Sequence, residues 1–469
     1  MIGTNNNSEK SAAPARALGN TEHNWCRAVS SGTGITVLAL QMAKPPSEIA
    51  AVHGVLHNLQ SSHPLLASNL HYNPTSKTFS FLKTKNSQIQ IKFHDIQSTS
   101  HLLSNNPNPN FSPFHSILEH ELNNNNWSDP NSFPQNGVAP LFASVYALSE
   151  AKSVIILRFH TTICDRTTAV SLLMELMEMV AESNDGGGTG KEIDNLGEGE
   201  KGIETLIPNG TAKKTIWAHG MDLLGYSMNS FRLTNLAFKN TKMPKHSEVV
   251  RLQINAHYTS QILAGCESRG IKLCGALAAA ALISAHSTIL HSDKVKKKYG
   301  VVTLTDCRSI LDPPLSTHHF GFYHSAILNI HTVKGTENFW DLAKSCYNGF
   351  AYYNKCNKHF SDLADLNFLM AKAIENPNLT SSSSLRTSLV SVFENPVIDD
   401  SIQMQHKIGV EDYMGCASVH GIGPSVAIFD TVRDGELDCI CVYPAPLHSR
   451  DQMSKLVDYM RKVMIDGSG

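Results

Sequence analysis

VIILRFHTTICDRTTAV, residues 154–170, is the most informative stretch of the chain. Its first seven residues are mostly apolar and β-branched, the composition of a buried strand. Over residues 167–182, Val170, Leu173, Met174, Met177 and Val180 recur at helical spacing, so an amphipathic helix follows, with its methionines as core filler. Between strand and helix, the turn HTTICDR at residues 160–166 holds His160, Thr161, Thr162 and Asp165. Titratable groups at a strand end, above a buried sheet, are a common way to build a site. The residues alone leave a plainer reading open, in which Asp165 caps the helix and His160 is a satisfied core histidine.

Working outward, PLFASVYAL (residues 140–148) and the polar turn SEAKS complete a β-hairpin with this strand. ITVLALQM (residues 35–42) is a further strand. Pro45, Pro46 and Ser47 then start a helix whose apolar positions are Ile49, Val52, Val55, Leu56 and Leu59. TFSFLK and IQIKFHDI alternate as strands do, whereas residues 104–135, dense in Asn, Pro and Ser, predict mostly loop. Residues 183–202 are rich in glycine and charge and mark the clearest linker. A second series follows. It has strands at EVVRLQI (residues 248–254) and GVVTLTDC (residues 300–307), helices over 259–269, 274–290 and 338–354, closing strands over 388–444 and a last helix over 450–464. The expected organisation is a disordered tail at 1–22, a first domain at 23–182, a linker or crossover at 183–215 and a second domain at 216–469. Two similar α/β halves in one chain fit a length of 469 residues, which is too long for one ordinary core.

Composition narrows the function classes. The formal net charge of -2, with KVKKK (residues 294–298) as the one basic cluster, read as a solvated helix end, predicts neither nucleic acid nor an anionic membrane as partner. CGALAAAALISAHSTIL (residues 274–290) is interrupted by serine and histidine and reads as a buried helix rather than a membrane span. The ten cysteines show no repeated spacing, so reduced thiols are expected and a metal site or disulfide framework is not; Cys439 and Cys441 sit on a predicted strand. The first 20 residues lack an apolar core, which predicts a cytoplasmic protein and makes the sequon at Asn378 accidental. There is no G-x-S-x-G elbow, Walker loop, dinucleotide fingerprint or HExxH.

Three blocks in order resemble a known superfamily. HTTICDR and its flanking strand and helix are similar to the HHxxxDG region of the CoA-dependent acyltransferases, which include chloramphenicol acetyltransferase, condensation domains, alcohol acetyltransferases and the plant BAHD enzymes. HPLLAS (residues 63–68) resembles their HPLLR element. TDCRSILDPPLSTHHFGFYHSAI (residues 305–327) resembles the BAHD block with D-x-R and a following PPL. The resemblance spans about residues 35–450. It implies an α/β fold of two chloramphenicol-acetyltransferase-like domains with a tunnel at their interface, usually monomeric. It also implies acyl transfer from an acyl-CoA co-substrate, with no bound cofactor, to the hydroxyl or amine of a small metabolite; the texture is most like plant members, which points to specialised metabolism.

The motif departs from that pattern at the chemical step. In the superfamily the second histidine, four residues before the aspartate, is the general base. Asp165 matches the aspartate, with Arg308 as its implied structural partner, and His160 matches the first histidine; the base position holds Thr161, and Arg166 replaces glycine. Three outcomes follow. His160 serves after a one-residue shift, which side-chain alternation along a strand opposes. Another histidine (His318, His319, His324 or His420) reaches the tunnel. Or the site needs no base, as in an elimination, a cyclisation or a non-catalytic binder. A histidine-based transferase leads, with His160, Thr161 and Asp165 as catalytic candidates, and Arg166, His318, His319 and Ser391 as substrate-binding candidates. Arg166 offers a fixed cation for a carboxylate or a CoA phosphate, or a plain salt-bridge partner. Ser391 and Thr387 offer hydroxyls to an oxyanion.

Overall fold

The computed structural model describes residues 15–44, 50–83, 89–104, 111–184, 199–215, 217–221, 233–289, 296–376 and 385–468. Most of the predicted tail and glycine-rich linker, the start of the helix after Pro46, most of WAHGMDLLGYSM and Asn378 lie outside the described residues. In chain order the strands are β1 (Ala15–Ala17), β2 (Thr33–Met42), β3 (Ser68–Asn73), β4 (Thr78–Lys83), β5 (Ile91–His94), β6 (Leu141–Ala147), β7 (Ser153–His160) and β8 (His246–Ile254). They continue with β9 (Lys297–Asp306), β10 (His324–Val333), β11 (Val390–Phe393), β12 (Val397–Asp399), β13 (Val410–Val419), β14 (Val426–Arg433) and β15 (Glu436–Ala445).

Two mixed sheets organise the molecule. The first runs β13-β2-β7-β6-β5 and the second β10-β9-β11-β14-β15-β8, with β12 beside β14. Strand β7 is buried along its whole length and β2 almost so, because packed side chains cover both faces of the first sheet; hence their unbroken apolar runs. Each fully buried Leu, Ile or Val here contributes roughly 1.5–3 kcal/mol. The second core gathers on the Ala-rich helix Leu273–Ile289, where Ala276, Ala279 and Ala280 are wholly buried. A side chain at Gly275 would stand 2.7 Å from the Ala343 carbonyl oxygen, so glycine there lets the helix Phe339–Lys355 approach closely.

Several expectations need correction. The boundary near residue 216 does not separate the sheets, since β13, from the second half, pairs antiparallel with β2 and forms an edge of the first. The described part of residues 104–135 is not mostly loop: Pro113–Asn123 is a helix, started by a proline at its first turn and burying Phe114, Ile117, Leu118 and Leu122 on one face. The end of the predicted tail is ordered, because Arg16 is bidentate with Glu22, whose carboxylate also accepts from the Gly19 N–H at the start of the helix Asn20–Ser30. Lys297 and Lys298 open β9 rather than close a helix. Past the undescribed stretch, residues 199–215 pack rather than dangle: Ile203 and Leu206 are buried against Cys307, Leu311 and Tyr323 of the second half. No single helix among the described residues is long and apolar enough to cross a membrane.

Candidate active site

The turn after β7 is fixed by Asp165. Its Oδ1 accepts from the Thr168 N–H at 2.9 Å, which caps the helix Arg166–Asn184. Arg308 approaches the same carboxylate with both terminal nitrogens, at 3.0 and 3.1 Å, and the Tyr323 N–H donates to Oδ2 at 2.8 Å. Burial alone would raise the Asp165 pKa, but Arg308 and His324 override it and hold the carboxyl well below the usual carboxylate range. Arg308 is itself buried and also bonded to Asp306, Thr168 Oγ1 and the His319 carbonyl oxygen. The pair therefore joins residue 165 of one half to residue 308 of the other. Removing one member of such a pair costs about 3–5 kcal/mol, since the other is left buried and uncompensated.

The fourth partner of the Asp165 carboxylate is the chemically decisive one. His324 Nδ1 lies 3.0 Å from Asp165 Oδ2. A carboxylate held ionised by Arg308 can only accept, so the hydrogen bond assigns the imidazole proton to Nδ1. In the neutral ring Nε2 is then the acceptor nitrogen, and it has no hydrogen-bond partner among the described residues. The ring lines a cavity of about 530 Å³ between the two halves. His324 opens β10, and the alternation of that strand puts Ala326 and Leu328 on the same cavity wall, opposite Leu304 and Val302 of β9. Phe322 and Phe393 flank the imidazole at 6.4 and 5.8 Å between centroids.

Thr161 and Ser391 line the same cavity, as do Asp165 and Arg166. Thr161 packs where the chain comes close at Gly34: that glycine has φ +93°, and a side chain on it would meet both Thr161 and Trp25 at 3.0 to 3.1 Å. The other candidates are placed elsewhere. His160 is fully buried and is not part of the cavity wall. Its Nδ1 accepts from the Thr162 N–H and sits 2.8 Å from the Thr162 hydroxyl, its ring stands edge-on to Trp127, and burial pushes it down to about 3. The shifted-base option is thus removed by the alternation of β7. His318 is half exposed and tied to Glu175 at 2.7 Å, away from the cavity wall. His319 also lies off the wall, against Tyr323, and burial lowers it to about 4. Arg166 is committed rather than free: it bonds the Asn395 carbonyl oxygen at 2.9 Å and Asp430 Oδ1 at 3.0 Å, and lies over the Phe393 ring at 4.2 Å.

Comparison with known proteins agrees with this architecture. No family model matches the chain, and no curated protein sequence does. Among solved structures, a trichothecene 15-O-acetyltransferase from Fusarium sporotrichioides is 11% identical, with a TM-score of 0.68 over 97% of this chain and 95% of its own. The first condensation domain of the calcium-dependent antibiotic synthetase is 12% identical, with a TM-score of 0.66 over 97% of this chain and 98% of its own. The epimerization domain of tyrocidine synthetase B is 11% identical, with a TM-score of 0.64 over 97% and 96%. The molecule accordingly has the α/β fold of the CoA-dependent acyltransferases and condensation domains. At such identity the likeness concerns the fold, so the chemistry is argued from this chain's own residues.

Proposed function

We propose that the protein is an acyltransferase that moves an acyl group from a thioester, with acyl-CoA as donor, to the hydroxyl or amine of a small metabolite. The observation that carries this reading is the His324 imidazole on the cavity wall, with Nδ1 committed to an ionised Asp165 and Nε2 open. In this scheme Nε2 takes the acceptor's proton as the acceptor oxygen or nitrogen bonds to the thioester carbonyl carbon. The carbonyl electron pair moves onto oxygen, and in this reading the cavity-lining hydroxyls of Ser391 and Thr161 are the candidates to donate to it. Collapse of the tetrahedral species breaks the C–S bond, and the leaving thiolate recovers the proton from Nε2. Asp165 stabilises the transient imidazolium, and Arg308 keeps Asp165 from competing for that proton. Threonine at position 161 then marks a base relocated to another strand rather than a lost one.

The test is a panel of acyl-CoAs with alcohol and amine acceptors, followed by the appearance of free thiol. Acceptor-dependent thiol release is expected. No turnover of any thioester, together with tight binding of a metabolite, would assign the cavity to a non-catalytic binder instead.

A further inference from the structure

We propose that Arg386 forms an anion subsite at the end of the cavity remote from His324, and that the substrate bound there carries a carboxylate. This rests on the cavity being the substrate site. Three arginines are almost fully buried among the described residues: Arg158 at 3%, Arg308 at 2% and Arg386 at 2% exposure. Arg158 is paired with Glu121, and Arg308 with Asp165 and Asp306. Arg386 has no carboxylate partner among the described residues. Its four hydrogen bonds go to backbone carbonyl oxygens, of Leu385 at 3.0 Å, Val419 at 3.1 Å, Pro424 at 3.4 Å and Gly421. A buried charge without a counter-ion is costly, and Arg386 is the one of the three that lines the cavity.

The neighbouring titratable groups feel the Arg386 charge. Burial and the Arg386 charge together push Lys245 down to about 8. His420 is held at about 4 by burial and by the charges of His246, Arg386 and Lys245. Burial pushes Arg386 itself down to about 10, with no acidic group among the described residues opposing it. The carbonyl oxygens of residues 419, 421 and 424 belong to the β13–β14 turn and its flanks, and they fix the plane of the guanidinium.

Strand register gives the spacing. His324 is level with Asp306, Leu304 with Ala326 and Val302 with Leu328; Ser391 of β11 is level with Val302. The Leu389 N–H reaches the Gly300 carbonyl oxygen, one step further, and Arg386 precedes it. The wall between His324 and Arg386 is apolar apart from the hydroxyls of Ser391 and Thr387. Across the cavity, Leu366, Leu369, Met370 and Ala373 form an i, i+3, i+4, i+7 stripe on the helix Leu363–Glu375 that stays half-buried, unlike core positions. A ligand with an apolar body, a reacting group at His324 and one negative charge at Arg386 fits this order. With four of its five N–H groups engaged by carbonyl oxygens, Arg386 keeps one for an anion, which suits a carboxylate better than a phosphate monoester with its three acceptor oxygens.

The test is calorimetric binding of decanoate, decanamide and decyl phosphate to the full chain. Binding is read at equilibrium, so the outcome is independent of whether thioester turnover is found. Decanoate should bind the unaltered protein about tenfold or more tightly than decanamide. Arg386→Gln should erase that preference while keeping decanamide affinity, and Arg386→Lys should retain part of it. Equal binding of decanoate and decanamide to the unaltered protein would overturn the proposal without any variant. So would a preference for decyl phosphate, or an equal loss of both ligands in Arg386→Gln, which would mean that Arg386 only pins the turn.

Discussion

His160 and His324 are both buried imidazoles at strand ends, and their environments differ in one respect. His160 faces Trp127 and Thr162, finds no ionised acceptor, and is driven towards the neutral form by burial, down to about 3. His324 donates its Nδ1–H to a carboxylate that Arg308 keeps ionised, and the residue lines the cavity. A local motif therefore does not decide which histidine can act as a base. The deciding partner, Asp165, lies 159 residues from His324 along the chain.

The comparison breaks most severely if the acceptor of Nδ1 is neutralised. Asp165→Asn removes the charge that fixes the tautomer, because an amide can donate to Nδ1 and leave the proton on Nε2. Thioester turnover should fall by about 10³–10⁴-fold, with no compensating change in KM. A fall of less than about tenfold in the folded variant would mean that the tautomer is not set by Asp165.

A smaller effect sharpens the contrast through pH. His160, at about 3, and His115, His319, His331, His359, His420 and His448, each at about 4, are all held below the histidine value of about 6.5. Their folded pKa is depressed, so their contribution to stability is complete above about pH 6.5 and is lost as pH falls towards the folded value. In this window the unfolded chain binds protons that the folded one refuses. Denaturant unfolding between pH 6.5 and 4 should show a steep decline, roughly 1.4 kcal/mol per pH unit for each such histidine. His160→Gln should flatten the slope by about one proton. An unchanged slope would mean that His160 is not held neutral by burial.

Much of the scaffold was legible because it is written locally. The β7–turn–helix unit, the β6–β7 hairpin and the Ala-rich helix follow from apolar spacing over a few residues, and the cap by Asp165 is one of the two readings its residues leave open. The helix Pro113–Asn123 was missed although Phe114, Ile117, Leu118 and Leu122 repeat at helical spacing, because the surrounding Asn, Pro and Ser dominated the reading. The pairing of β13 with β2 leaves no local trace, since the register Gly415↔Leu38 joins residues far apart in the chain. For the site, His324 had one usable signal: with Ala326 and Leu328 it heads an apolar strand face. Its selection over His318 and His319 depends on tertiary contact. Arg386 had no signal at all, because a missing counter-ion is visible only in three dimensions.

The most direct measurement compares His324→Gln with His160→Gln, using the acyl-CoA and acceptor that the unaltered protein turns over, with folding of both variants verified by circular dichroism. The account predicts a loss of about 10²–10⁴-fold in turnover for His324→Gln and an essentially unchanged rate for His160→Gln. Unchanged turnover in His324→Gln, or an equal loss in both variants, would contradict it.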